Sequence, residues 1–222
     1  MTGVFVADLS AYSDEELLRL RDKLSQDLEK DLLLHVNEGA SEALRIERFF
    51  AYYLLSYTVK NVLRHSSMEK IKFESKKKPR FISSKIKFSV SHIKGAVAVI
   101  VSDESEVGID IEAVSERSIT VSDSFLKRYK VQLDSKLIKN AEKEEIITFI
   151  FSESSLSETK RIAKKEKTSI DDWTSTEAVV KLFGCGMSGI SKFGEMLSMS
   201  NVYSARIELS GVEYSLSYAI KK

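Results

Sequence analysis

Two acidic side chains lie two residues apart in the segment 107–112, which reads Val-Gly-Ile-Asp-Ile-Glu. Because side chains alternate across a β-strand, Asp110 and Glu112 would project from one face and the two isoleucines from the other. Neighbouring carboxylates repel each other, so they usually hold a proton or a cation between them. A hard divalent cation with oxygen ligands is the natural candidate. An exposed strand face that carries two acids accounts for the same spacing.

A third acid stands near a lysine further along the chain, in the segment 171–186. The apolar run after Glu177 predicts a helix, which the glycines at 184 and 186 would end. Glu177 and Lys181 are four residues apart and therefore share a helix face. A second interpretation stays open, in which Thr174 and Glu177 form a capping box and Glu177 forms an ordinary ion pair with Lys181.

Basic and polar residues in the N-terminal half could contact phosphate groups. The cluster 76–80, Lys-Lys-Lys-Pro-Arg, supplies point charges that suit phosphates, although a solvated loop, a nuclear signal or a nucleic-acid contact also accounts for it. His92 follows a predicted strand beside Ser91, and it could donate to an anion or have only a structural role. Arg45 and Arg48 lie on the first turns of a predicted helix and could face solvent or a phosphate.

Hydrophobic periodicity predicts the elements that must position these residues. It predicts strands at 4–9, 86–92, 96–102, 107–112, 202–209 and 212–220, and helices at about 13–35, 41–63, 121–136, 141–151 and 174–184. The segment 152–157 is predicted as a loop and 158–167 as an exposed helix or a mobile segment. A helix followed by two strands occurs twice, which indicates a weak internal repeat. The expected fold class is α+β, with halves at 1–112 and 113–222, each a long helix on a small antiparallel sheet.

Composition limits the possible partners and compartments. The 222 residues have a net charge of +1, so we expect no nucleic acid and no membrane as a partner. A single cysteine, Cys185, excludes an internal disulfide and a multi-cysteine zinc site, which fits a reducing compartment. Because the sequence has neither the pattern of a signal peptide nor that of a transmembrane stretch, the expectation is a soluble cytoplasmic protein.

Three motifs in this order resemble the 4'-phosphopantetheinyl transferase superfamily. They are Phe-Ser-Val-Ser-His at 88–92, Val-Gly-Ile-Asp-Ile-Glu at 107–112 and Trp-x-x-x-Glu-Ala-x-x-Lys at 173–181, with Lys-Pro upstream at 78–79. The chain looks most like the surfactin-type branch, whose members are monomeric pseudo-dimers of two similar α+β halves. The resemblance implies transfer of phosphopantetheine from coenzyme A to a serine hydroxyl of an apo carrier protein. Magnesium (or manganese) would be the metal, and 3',5'-ADP the product.

The resemblance also implies roles for individual residues. Asp110, Glu112 and Glu177 would hold the metal, and Glu177 would also act as the base towards the serine. Lys181 would contact the phosphates and assist the leaving group, which makes Asp110, Glu177 and Lys181 the expected catalytic set. Further contacts to coenzyme A would come from Arg45, Lys78, Pro79, Ser91 and His92.

The chain departs from the family pattern at three places. Thr176 stands where the family commonly has a lysine before Glu-Ala, so one positive charge is missing. Lys77 replaces the glycine that usually precedes Lys-Pro. The segment between Glu112 and Glu177 is longer than in compact surfactin-type members, which suggests an altered carrier-protein surface. The missing charge leaves a second hypothesis open, a catalytically impaired relative that binds coenzyme A or carrier protein without turnover.

Overall fold

A computed structural model of the chain confirms the α+β class. It describes residues 1–38, 41–75, 77–129, 131, 133, 137–141, 146–160, 162 and 167–222. The α-helices are α1 (Asp14–Leu24), α2 (Lys30–Asn37), α3 (Glu42–Tyr57), α4 (Glu116–Arg128), α5 (Ser169–Phe183) and α6 (Phe193–Ser198). The strands are β1 (Thr2–Asp8), β2 (Ile71–Lys72), β3 (Arg80–Phe81), β4 (Lys87–Ile93), β5 (Ala96–Ser102), β6 (Val107–Ala113), β7 (Ile138–Asn140), β8 (Ile146–Ile150), β9 (Ser155–Glu158), β10 (Ser200–Leu209) and β11 (Val212–Lys221).

The first sheet has the order β4-β5-β1-β8-β9 and is covered on one face by the N-terminal helices. Strand β1 pairs antiparallel with β5 and parallel with β8. Helix α3 is apolar over most of its length, and it packs on this sheet through Phe49, Phe50 and Leu54. From the strands, Phe88 and Val99 complete the same core. Burial of this broad apolar face is the main stabilisation of α3.

The second sheet has the order β6-β11-β10-β7 and is covered by α5 and α6. The inner faces of the two sheets share a separate core, to which Val4 and Ile100 contribute from the first sheet and Ile109 and Leu216 from the second. The molecule therefore has four layers, helices, sheet, sheet and helices. Strand β6 lies at the edge of the second sheet and β4 at the edge of the first. Two serine side chains of β4 connect the strands, since Ser91 donates to Asp110 and Ser89 accepts from the main-chain amide of Ile109.

Most predicted elements near the site are confirmed. The opening strand, both strand pairs, the acidic strand, and the helices that begin near residues 41 and 174 are all present. The helix at 41–63 is α-helical to Tyr57 and continues as a short π-helix over Thr58–Val62. The helix at 174–184 begins earlier, at Ser169, because Thr168 and Asp171 form its capping box. Gly184 ends it in the left-handed conformation, as predicted.

Three predicted helices are wrong in part or in whole, and the one predicted at 121–136 spans Glu116–Arg128 instead, ending eight residues early. The helix at 13–35 is interrupted by a 3₁₀ segment at Ser25–Asp27, where the Ser25 hydroxyl donates to the carbonyl of Asp22 and competes with helical hydrogen bonding. Instead of a helix at 141–151, residues Ile146–Ile150 form strand β8, in keeping with their β-branched and aromatic side chains. The first sheet thus includes strands from beyond residue 112, while β6 pairs with β11 of the other sheet.

The charged middle of the chain is described only in part. Helix α4 begins at Glu116, five residues before the predicted start, because Ser115 caps it. Strand β9 takes up the end of the predicted loop at 152–157. Parts of three predictions lie outside the described residues, namely positions 130, 132 and 134–136, positions 142–145, and positions 161 and 163–166. Within the described part of the chain, no helix is long and apolar enough to cross a membrane.

Candidate active site

Helix α5 lies directly on strand β6 because Gly108 has no side chain. A Cβ atom at this position would lie 2.5 Å from the amide nitrogen of Leu182, and closer still to the carbonyl oxygen of Ala178. At the other end of the contact, Thr174 hydrogen-bonds to Ser215, which pairs with Glu112 in the β-ladder. From Gly108 to Glu112 the strand rises about 13 Å, and the eight residues from Leu182 back to Thr174 rise about 12 Å. The helix therefore runs antiparallel to β6 along its whole acidic segment.

The outer face of β6 presents the two acids to this helix, as the alternation predicted. Ile109 and Ile111 are buried in the core between the sheets, whereas Asp110 and Glu112 face away from it. Asp110 is itself buried, with 3% of its surface exposed. A buried carboxylate is costly unless charges or hydrogen bonds compensate it. Its environment consequently decides what the site can bind.

One oxygen of Asp110 is well satisfied and the other is not. Lys181 Nζ donates to Asp110 Oδ1 at 2.6 Å, and Ser91 Oγ donates to the same oxygen at 2.9 Å. Lys181 Nζ also donates to Ser91 Oγ at 3.0 Å, which closes a triangle of three motif residues. Asp110 Oδ2 is buried and has no hydrogen-bond partner among the described residues. Such an oxygen is a ready acceptor or metal ligand.

In the described part of the chain, neither Glu112 nor Glu177 forms an ion pair, because Lys181 pairs with Asp110. Burial, and after it the charge of Asp110, raises the pKa of Glu112 to about 7. Burial and Asp110 likewise raise the pKa of Glu177 above its ordinary value, and Lys181 opposes both shifts. The ammonium group of Lys181 therefore offsets the charge of three carboxyl groups, those of Asp110, Glu112 and Glu177, which together form the acidic cluster. A further cation or a proton is needed to balance the cluster.

The local alternatives for α5 are contradicted. Thr174 lies inside the helix and donates to the carbonyl of Asp171, so it does not cap a helix that starts at Glu177. Lys181 pairs with Asp110 across the helix–strand contact, and within the described residues it forms no ion pair with Glu177. Helix α5 thus brings Lys181 to the acidic strand.

A buried ion pair anchors the start of α5 to the antiparallel pair β10–β11. Arg206 of β10 donates to both oxygens of Asp171, at 2.6 and 2.7 Å, and also to Glu213 at 2.7 Å. Ser215 donates to Asp171 Oδ1 at 2.8 Å. These contacts fix the position of the helix relative to the second sheet, and with it the position of Glu177 and Lys181.

Ser91 and His92 project from opposite faces of β4. Ser91 reaches Asp110, while His92 lies on the side of Phe88 and Val90, which pack against the N-terminal helices. The ring nitrogen Nδ1 of His92 lies 3.1 Å from Glu47 Oε2 of α3. The two residues of the predicted Ser-His pair are thus adjacent in the chain but are held by different partners.

Lys78 and Pro79 border a cavity of about 590 Å³ whose lining does not include the acids of the cluster. Lys78 Nζ donates to the carbonyl of Val107, and it lies 3.7 Å from a carboxylate oxygen of Glu106. Burial lowers the pKa of Lys78 to about 8, against the attraction of Glu106. The loop residue Lys76 lies outside the described residues. Lys78 is therefore placed beside β6 but not in contact with Asp110 or Lys181.

Arg45 lies on the first turns of α3, as predicted. Its Nε atom is buried and has no hydrogen-bond partner in the described part of the chain. Arg48, three residues later, donates to the carbonyl of Glu38. The structure does not bring either arginine into contact with the acidic cluster.

Two residues that matter to the site were not predicted. Gly108 sits inside a strand pattern, and an isolated glycine there signals close approach of another backbone. Glu47 interrupts the apolar face of α3 between Ile46 and Phe49, and a mostly buried acid usually has a partner. Both signals are present in the sequence, but neither of them indicates which partner the residue meets.

The acidic cluster formed by Asp110, Glu112 and Glu177 would have to group its carboxyl oxygens around one point to hold a metal ion. Within the described residues, no three histidine, cysteine or acidic side chains are grouped closely enough to enclose a metal ion as they stand. No known family model matches the chain, and no curated protein matches it.

Proposed function

We propose that this chain is a 4'-phosphopantetheinyl transferase, which moves phosphopantetheine from coenzyme A to a serine of an apo carrier protein. The proposal is supported above all by the convergence of Ser91, Asp110 and Lys181, which lie far apart in the sequence, into one hydrogen-bonded triangle. Each belongs to a different motif of the resemblance. An exposed strand face with two incidental acids would leave Asp110 in solvent, whereas it is buried.

The carboxyl groups of Asp110, Glu112 and Glu177 would hold a magnesium ion, with manganese as an alternative, once the three side chains move closer together than they now stand. Asp110 Oδ2 is buried without a partner, and the raised pKa values of the other two acids indicate a shortage of positive charge. Magnesium takes few protein carboxylates, together with water and phosphate oxygens. When bound, it would neutralise negative charge on the diphosphate of coenzyme A and hold that group in line.

The reaction needs a base and a positive group for the departing phosphate. Glu177 would take the proton of the carrier serine as its oxygen forms a bond to the phosphorus that bears pantetheine. The bond from that phosphorus to the bridging oxygen breaks, and its electron pair leaves with 3',5'-ADP. Lys181 would stabilise the charge that develops on this oxygen. Its partial exposure allows it to leave Asp110 for a phosphate.

Coenzyme A would be held by residues on several elements. Ser91 borders the acidic cluster, and His92 presents its ring at the end of β4. Arg45 offers a buried guanidinium nitrogen that has no partner among the described residues, while Lys78 and Pro79 border a separate cavity. For Lys78 to contact a phosphate, it must exchange its bond to the carbonyl of Val107.

We also propose that the chain is a cytoplasmic monomer built as a pseudo-dimer. Helix α3 packs on β4, β5 and β1 in one half, and α5 packs on β6, β11 and β10 in the other. This recurrence supports two similar α+β halves, although the expected boundary at residue 112 does not separate the sheets, because β6 belongs to the second sheet and β8 and β9 return to the first. The acidic cluster would lie where the edge strands of the two halves meet.

The test is a mass measurement on a panel of apo carrier proteins mixed with coenzyme A and magnesium. One carrier should gain the mass of one phosphopantetheine group. Asp110→Asn and Glu177→Gln should each reduce the rate at least about 100-fold, as for loss of one charge-stabilising group. The exposed acid Glu195 provides the control, and Glu195→Gln should transfer normally. If no carrier of a broad panel is modified, the proposal fails.

A second candidate is a relative that binds coenzyme A or carrier protein without turnover. It is favoured by Thr176, which replaces the usual lysine and is fully buried, so that this position presents no charge to a ligand. Its hydroxyl donates to the carbonyl of Asp172 within the helix. Coenzyme A binding without mass transfer to any carrier would support this candidate against the first.

A further inference from the structure

Glu47 is a mostly buried carboxylate to which the proposed reaction gives no role. Its side chain is 16% exposed and lies on the second turn of α3. Oε2 of Glu47 is 3.1 Å from Nδ1 of His92, and the described part of the chain provides Glu47 with no other hydrogen bond or ion pair. A buried carboxylate is retained only where a partner compensates its charge. His92 is therefore the partner on which the burial of Glu47 depends.

The hydrogen-bonding roles within the pair follow from chemistry. An ionised carboxylate can only accept, so Nδ1 of His92 must be the donor. The hydrogen bond fixes the plane of the ring, and Nε2 has no hydrogen-bond partner among the described residues. His92 is 27% exposed, which leaves the ring accessible to a ligand.

We propose that Glu47 is a positioning residue, which orients His92 so that Nε2 meets an oxygen of a phosphate group. The inference rests on the proposed function, because it takes coenzyme A as the source of that phosphate. With a phosphate at Nε2, the ring donates from both nitrogens, and the carboxylate of Glu47 balances its positive charge. Without Glu47, the ring is free to rotate and to exchange its tautomers.

The placement of the pair supports this role. Phe88 and Val90, on the same face of β4, pack into the N-terminal core and fix the strand against α3. Glu47 approaches from that helix, so the pair joins the two elements on the face of β4 opposite to the acidic cluster. Ser91, the next residue along, is already bound to Asp110 on the opposite face. The strand thus offers two differently supported polar groups in succession.

The first test measures the ring itself and needs no activity. The chain has three histidines, so ¹⁵N-histidine NMR, with His92→Ala for assignment, resolves the state of each ring. In the unmodified protein and in Glu47→Gln, which keeps an accepting oxygen, Nδ1 of His92 should be the protonated nitrogen. In Glu47→Leu the ring should populate both neutral tautomers. An unchanged His92 spectrum in Glu47→Leu would overturn the proposal.

The second test measures affinity for coenzyme A by calorimetry and the kinetics of transfer. Glu47→Leu should weaken binding about tenfold, a typical effect of losing one charge-assisted hydrogen bond. The increase in KM should exceed the decrease in kcat. In the His92→Ala background the same substitution should have little further effect, because the two residues act as one unit. The exposed Glu42→Gln on the same helix controls for loss of a negative charge.

The outcomes separate this inference from the proposed function. Equal loss of affinity from Glu47→Leu with and without His92 would overturn the positioning role even if transfer is normal. If coenzyme A binds but no carrier is modified, the proposed transfer fails while the role of Glu47 is upheld by its binding data. If the unmodified protein does not bind coenzyme A, the phosphate role fails together with the proposed substrate.

Discussion

Gly108 in β6 faces the backbone of Ala178 in α5 with no room for a side chain between them. This contact lets the helix lie on the strand at a distance from which Lys181 reaches Asp110. The two charged residues are 71 positions apart in the sequence, and in the part of the chain that the structure describes no hydrogen bond between main chains connects their elements. The approach of helix to strand is therefore a precondition of the candidate site.

Substitution of Gly108 should affect stability and site together. In Gly108→Ala the new methyl group would press on the backbone of α5, which cannot move as a flexible side chain would, and we expect a loss of about 2–4 kcal/mol. Chemical denaturation measures this loss. Gly194 of α6 has open space around it, so Gly194→Ala should be neutral or slightly stabilising. Equal stability of the two variants would contradict the close contact.

The Lys181–Asp110 pair should behave as a coupled unit. Lys181→Met leaves a buried carboxylate without its cation and should destabilise the protein by about 2 kcal/mol, less than a fully buried pair because Lys181 is partly exposed. Asp110→Asn in the same chain should recover part of this loss. A double-mutant cycle in urea measures the coupling, which should exceed about 0.5 kcal/mol. Additive effects would mean that the contact contributes no net stability.

Glu112 should make stability depend on pH. Its folded pKa of about 7 lies above the ordinary value of 4.5, so its contribution is complete below pH 4.5 and is lost as pH rises through 7. A shift of this size corresponds to about 3 kcal/mol, which partial exposure reduces to on the order of 1–2 kcal/mol. Between pH 5 and pH 8, the unmodified protein should therefore lose more stability than Glu112→Gln.

Urea unfolding at both pH values, with and without magnesium, checks this expectation. A cation that occupies the cluster replaces the missing proton, so magnesium should restore stability at pH 8 but much less at pH 5. The restoration should be weaker in Glu112→Gln, which has lost one ligand. If the free energies of unfolding of the two proteins change in parallel with pH, the pKa of Glu112 is not raised in the folded protein, whatever the effect of magnesium.

The buried ion pair between Arg206 and Asp171, which holds the start of α5, should be sensitive to substitution. Arg206→Met leaves Asp171 buried and unpaired, and we expect a loss of about 3–5 kcal/mol in thermal or chemical denaturation. Lys160 and Glu208, which also involve β10, form a pair in which the lysine is 71% exposed. Lys160→Met is therefore a matched control that should cost less than about 1 kcal/mol. If the two variants lose similar free energies of unfolding, the buried pair contributes no more to stability than the exposed one.

Short-range patterns predicted the site better than the overall fold. Alternation placed Asp110 opposite the isoleucines, and the four-residue spacing placed Lys181 with Glu177 on α5, because both patterns depend only on local geometry. The parallel pairing of β8 with β1 was missed, since a short apolar segment such as 146–150 fits a helix or a strand equally well. The Glu47–His92 contact joins a helix to a strand, and no local pattern specifies it.

Thr176 is the residue at which this chain departs most clearly from the family it resembles. Thr176→Lys would introduce the usual lysine, but the side chain of Thr176 is fully buried and its hydroxyl is bound within α5. A lysine there would have to displace neighbouring groups to bring its charge to water, so we expect a loss of about 2 kcal/mol or more. Transfer to a carrier protein should not increase, because the charge would not be held at a fixed point in the cluster.

Denaturation and the mass assay, with the isosteric Thr176→Val as the control for the lost hydroxyl, separate these effects. A several-fold gain in transfer at unchanged stability would instead mean that the absent lysine limits the activity.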